Sequence, residues 1–150
     1  MRLLCQIFLG AQLCVLFLAS APAAADHAVV LVARSDSPIE TVDPLDVRKL
    51  YLGFSVRAEN DLSLRAATNQ SENKLFEIFL QDVMAMSARS YDRRLLTLTL
   101  QSGRRRPDIY RNVAELIDAL RGDPSLMSFM WQEDFEKAGD LKVLRVIWKE

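Results

Sequence analysis

Residues 62–84 read LSLRAATNQSENKLFEIFLQDVM, and their periodicity changes halfway along. Leu62, Leu64 and Ala66 alternate with Ser63, Arg65 and Ala67, the period of two that a strand requires. Thr68, Asn69, Gln70 and Ser71 then break the pattern with four polar residues. From Glu72 onward Leu75, Phe76, Phe79, Leu80 and Val83 recur along one face of a helix. The stretch therefore predicts a strand, a polar turn and an amphipathic helix. Asn69 followed by Glu72 has capping-box spacing, and Ser71 is a second candidate N-cap. A helix start presents unpaired N–H groups and the positive end of the dipole. The turn can thus hold an anion, or it can do no more than cap a structural helix.

Working outward, residues 1–25 read as a signal peptide. Arg2 supplies the positive start, residues 3–19 are apolar apart from Gln6, Gly10 and Gln12, and Ala23-Ala24-Ala25 fits a small-x-small cleavage site. The apolar core is too short and too interrupted for a permanent membrane anchor. Neither Cys5 nor Cys14 stands in a lipoprotein context. Cleavage before Asp26 leaves a periplasmic domain, 26–150, of roughly 125 residues, enough for one core. Both cysteines, Cys5 and Cys14, are lost with the leader, and disulfides, thiolate metal sites and cysteine nucleophiles go with them. Of the 19 basic residues only Arg2 is removed, so 18 face 20 acidic ones. That balance gives no electrostatic footprint for nucleic acid.

The flanking segments alternate between strand and helix signals. His27 through Ala33, HAVVLVA, is a Val-rich run suited to a buried strand. Asp43-Pro44 opens a helix whose apolar face is Val47, Leu50 and Tyr51, and Gly53 closes it. Residues 91–100 are ambiguous. Tyr91, Leu95 and Leu98 have helical spacing, while Leu96, Leu98 and Leu100 alternate with Thr97 and Thr99 as a strand would. Arg104-Arg105-Arg106-Pro107 reads as an exposed basic loop. Asn112 can cap a helix through Val113, Leu116, Ile117 and Leu120, and Gly122-Asp123-Pro124 ends it. LMSFMW, 126–131, is a short strand, 131–138 is one or two helical turns, and 141–148 alternates as a last strand. No repeat or linker divides the chain. Strands mixed with helices predict a single α/β layered domain.

Several of these stretches together resemble one family, the phosphate-binding-protein group of type 2 periplasmic binding proteins. SPIETVDPLDVRKLYLG, 37–53, is similar to its segment of extended Asn-Pro, spacer, helix and Phe-Leu-Gly. Residues 64–79 are similar to its strand, Ser-rich turn and Phe-containing helix. Ala85-Met86-Ser87 through Pro107 resembles its Gly-Met-Ser opening, aromatic helix and Gly/basic/Pro loop. DPSLMSF, 123–129, sits where the family has Asn-Pro-Gly-Ala-Ile-Gly-Tyr, and 141–147 matches its closing strand. The resemblance covers nearly all of 29–147 and implies one lobe of the usual two. The implied fold is a three-layer α/β lobe, with a mixed sheet of four to five strands and helices on both faces. It also implies that the 91–98 segment is helical.

The family's implied function is solute binding, with a small oxyanion such as phosphate at the helix N-terminus. The matching turn implies Thr68, Asn69, Gln70 and Ser71 as ligand-binding residues, with help from Arg104 and Arg105 in the basic loop. The departures are specific. Asn69-Gln70-Ser71-Glu72 replaces a Ser-Gly-Thr turn, so the glycine that admits backbone to the ligand is absent and Glu72 brings a carboxylate. Ser125 and Ser128 replace two further glycines. The alternative is an interaction or sensory adaptor that kept the fold and lost the ligand, its partner being a second copy or an envelope sensor or receptor. On that reading the polar turn and Trp131 form a contact face.

Catalysis has little support. His27 lies at the start of the predicted mature chain, and no HExxH, P-loop or calcium-loop motif occurs. No enzyme activity, cofactor or metal is expected. The basic set Arg93, Arg94, Arg104, Arg105, Arg106 and Arg111 is either a solvated surface or a face for an anion or an acidic partner. Met84, Met86, Met127 and Met130 read as core filler.

Overall fold

The computed structural model describes residues 27–150, so the signal-peptide reading of 1–25 lies outside the described residues. Five strands form one mixed sheet: β1 (Ala28–Arg34), β2 (Arg65–Asn69), β3 (Asp108–Tyr110), β4 (Leu126–Trp131) and β5 (Leu141–Lys149). Their order is β3-β2-β4-β1-β5. β2 runs parallel to both β3 and β4, and β1 runs antiparallel to β4 and β5. All strands except β1 therefore point the same way. The C-terminal ends of β2, β3 and β4 share one edge of the molecule with the start of β1.

The Val-rich run becomes an interior strand, between β4 and β5, because both of its faces can be buried. Val29, Leu31 and Ala33 pack into one core, with α1 (Pro44–Tyr51), α2 (Asn73–Phe79) and α3 (Ala88–Ser102). Val30 and Val32 pack into the other, with α4 (Val113–Gly122) and α5 (Gln132–Ala138). The result is the expected three-layer α/β arrangement with helices on both faces. Phe79 stacks on Phe129 at 3.9 Å and Tyr51 tilts against both, so aromatic contacts tie α1 and α2 to β4. No helix among the described residues is long and apolar enough to cross a membrane.

The caps at Asp43 and Asn112 follow the sequence, and Ser87 adds one not read from it. Asp43 caps α1 through the Leu45 N–H, Ser87 caps α3 through that of Ser90, and Asn112 caps α4 through those of Ala114 and Glu115. The 91–98 segment is helical, and α3 runs on through Leu100 to Ser102.

Three expectations need correction. The strand begins at Arg65, not Leu62, and continues through Thr68 and Asn69. Those two polar residues are drawn into the sheet by backbone pairing with Ile109 and Tyr110 of β3. β3 itself was unforeseen, because three residues are too few to show a period. The third correction is the capping box, which does not form. Glu72 occupies the N-cap of α2 and makes no side-chain cap bond. The helix after Phe79 loosens into a π-helical turn, Leu80–Met84, that ends on Ala85 in the left-handed region.

Candidate functional site

The expected turn lies at the C-terminal end of β2, the end of an open α/β sheet where ligands bind. Thr68 and Asn69 are buried there, and Gln70 and Ser71 are partly exposed. Asn69 is fully engaged. Its Nδ2 donates to the Phe129 carbonyl at 3.0 Å, and its Oδ1 accepts from the Ser71 N–H at 3.0 Å and from Ser71 Oγ at 2.7 Å. This is an Asx turn, in which a side-chain oxygen supplies the acceptor that an anion would otherwise supply. The Gln70 N–H is likewise taken, by the Tyr110 carbonyl at 2.8 Å.

Beyond Ser71 the environment turns acidic. The indole Nε1 of Trp131 donates to Glu72 Oε2 at 3.1 Å, which fixes the carboxylate at the start of α2. Trp131 is the last residue of β4 and only 6% exposed. His27 stacks on one side of it at 4.8 Å, and Trp148 meets it edge-on at 6.3 Å. His27 Nδ1 lies 3.4 Å from Glu133 Oε1. Burial raises the pKa of Asp134, and the charges of Glu72 and Glu133 push it the same way against the pull of Lys137. Three carboxylates thus share this end of the sheet. The contact face expected around an exposed Trp131 is corrected accordingly: the ring is packed under His27 and Trp148.

The basic loop is elsewhere. Ala67 pairs with Asp108, so Arg104, Arg105 and Arg106 precede β3 on the Arg65 side of β2, away from Ser71. The two halves of the expected anion site stand at opposite ends of a strand about 13 Å long. Arg104 lies 3.8 Å above the Phe54 ring, and Arg105 lies 3.8 Å from Asp108 Oδ1. The cation that does follow the turn's neighbour is Arg111, one residue past Tyr110. The sequence offered no sign of this, because β3 is too short to place its ends.

Chemically the turn end can position hydrogen bonds and negative charge. No group of three or more His, Cys, Asp or Glu among the described residues is arranged to hold a metal ion. Buried Tyr91 donates to the Tyr51 carbonyl at 2.8 Å, and burial pushes its pKa up to about 12, a value that suits a structural phenol.

No protein-family profile and no curated protein matches the sequence. Solved structures do match the fold. The chain is similar to an ABC-type phosphate transport receptor from Vibrio cholerae, with 8% identity and a TM-score of 0.57 over 80% of this chain and 46% of that one. It is similar to PstS from Borrelia burgdorferi, with 10% identity and a TM-score of 0.54 over 79% and 47%. A Clostridium perfringens chain solved with bound phosphate matches at 10% identity and a TM-score of 0.56, over 80% and 45%. The chain spans less than half the length of these structures. Its fold is that of one lobe of a phosphate-binding-protein-like structure.

Proposed function

We propose that this chain is a single-lobe, binding-protein-like module of the bacterial envelope, exported by residues 1–25, in which the anion turn is closed by the protein's own side chains. It acts by interaction, not by catalysis or transport. The observation that carries this reading is the Glu72 carboxylate held at the start of α2 by the Trp131 indole. A carboxylate there repels an oxyanion, and Asn69 already occupies the Ser71 donors. The partner is a second copy of the chain or an envelope sensor or receptor domain. Sedimentation across a concentration series tests the first of these.

A second reading, weak binding of a small oxyanion such as phosphate at Thr68, Asn69, Gln70 and Ser71, draws support from two features. Glu72 leaves the first turn of α2 without a side-chain cap, and Arg111 stands at the same end of the sheet. One helix dipole contributes only about 0.3–1 kcal/mol at an exposed end, whereas millimolar affinity needs about 4 kcal/mol. Phosphate titration followed by NMR at the Trp131 indole and the Ser71 amide separates the readings. With a closed turn these signals stay still in the parent protein and respond in Glu72→Gln. If they move in the parent and stop moving in Gln70→Ala/Ser71→Ala, the oxyanion reading replaces the first.

A further inference from the structure

The displaced basic loop makes a concavity of its own. Where β2 and β3 begin, Arg65, Arg105 and Arg106 line a hollow of about 170 Å³ together with Ser55, Ser63 and the backbone of Gly53. One carboxylate, Asp108, is in the lining against the three guanidinium groups. Neither serine hydroxyl has a hydrogen-bond partner among the described residues.

The loop is fixed from two directions. Gly53 has φ +80°, and a Cβ built on it would lie 2.6 Å from the Arg105 carbonyl oxygen, so the loop backbone rests directly on glycine. The neighbouring Phe54 carries the Arg104 guanidinium on its face, and Arg104 Nε is buried with no hydrogen-bond partner. Arg65 is oriented by Asp123 at 2.6 Å and Asp108 at 3.1 Å. Arg105 and Arg106 therefore project from a loop whose backbone is already held, which lowers the ordering cost of binding. Guanidinium forks with hydroxyl donors match the oxygens of a phosphate group, and the mixed origin of the donors, from β2, the loop before β3 and residues 55 and 63, surrounds a ligand on more than one side.

We propose that this hollow is an anion site for a phosphate group, at the opposite end of the sheet from the turn. The group could come from a soluble phosphate monoester or from an anionic lipid headgroup. It is independent of the reading given for the turn, and the two fail separately because their reporters differ.

The test is an NMR titration of the protein with glycerol phosphate, following the Gly53 and Ala66 amides, together with flotation on phosphatidylglycerol vesicles and on phosphatidylcholine vesicles as control. Saturable movement of those amides assigns a soluble ligand. Flotation with phosphatidylglycerol alone assigns a headgroup. In either case Arg105→Glu/Arg106→Glu, two exposed positions, weakens binding about tenfold or more while the melting temperature holds. Higher salt weakens it too. The proposal is overturned if neither phosphate source binds, if binding survives the double reversal, or if the signals that move are those of Ser71 and Trp131.

Discussion

At the scale of single residues, Asn69 explains why a turn that looks open in sequence is closed in space. A buried amide must satisfy its own donors and acceptor, and the nearest groups are Ser71 and the Phe129 carbonyl. Asn69→Ala leaves that carbonyl and the Ser71 N–H without partners inside the protein. The expected loss is about 2–4 kcal/mol, read from urea denaturation. Ser71→Ala keeps the site's geometry, removes one hydroxyl bond and costs about 1 kcal/mol or less. Equal losses in the two variants would contradict the role assigned to Asn69. The residue was visible in the sequence as a polar turn member, but its burial was not, because that depends on β3 and β4 closing over it.

At the scale of elements, the join between α2 and α3 departs from regular helix. The π-helical turn Leu80–Met84 ends on Ala85 at φ 54° and ψ 41°, where the Cβ of an L-residue crowds the backbone. Glycine adopts that conformation freely but gives the unfolded chain more entropy to lose. The relief outweighs the entropy for an exposed residue, so Ala85→Gly should stabilise the protein by about 0.5–1 kcal/mol in thermal unfolding. A lower melting temperature would mean that the left-handed turn is not strained. The helix start is instructive in the same way. Asn69 and Glu72 have the right spacing for a capping box, yet sheet pairing carries Asn69 into β2 and leaves Glu72 to begin the helix. Local spacing pointed to Asn69 or Ser71 as the cap, and tertiary pairing left the helix to begin at Glu72 without one.

At the scale of the molecule, the N-terminal ends of β2 and β3 are tied to the turn before β4 by Arg65 between Asp108 and Asp123. Burial of Asp123 works to raise its pKa, but the hydroxyl and backbone N–H of Ser125 and the Arg65 guanidinium outweigh it and hold the carboxyl below its ordinary value. A carboxyl depressed in the folded state contributes stability that is complete above its unfolded pKa, near 4, and lost as pH falls through the lower folded value. The gap in melting temperature between the parent and Asp123→Asn should therefore be widest at about pH 6 and close below about pH 4. A gap that persists unchanged into acid would show that Asp123 acts through packing and not through charge.

The sequence by itself determined the layered α/β class, the helix caps at Asp43 and Asn112, and the burial of β1. Each rests on contacts a few residues apart, or on a period that a short window reveals. Even the resemblance to one lobe of a binding protein came from the order of such local motifs. What only the tertiary structure decided is which polar groups meet. Arg105 stands with Arg65 and Arg104 over Phe54, neither with Ser71; Glu72 is paired with Trp131, and His27 covers that indole. These encounters join residues far apart in sequence through strand pairing. β2 beside β4 brings Glu72 to Trp131, β1 beside β4 brings His27 to it, and β3 beside β2 brings the basic loop to Arg65. A strand as short as β3 leaves no periodic trace, yet its register sets the ends of the sheet at which the basic loop before it and Arg111 after it arrive.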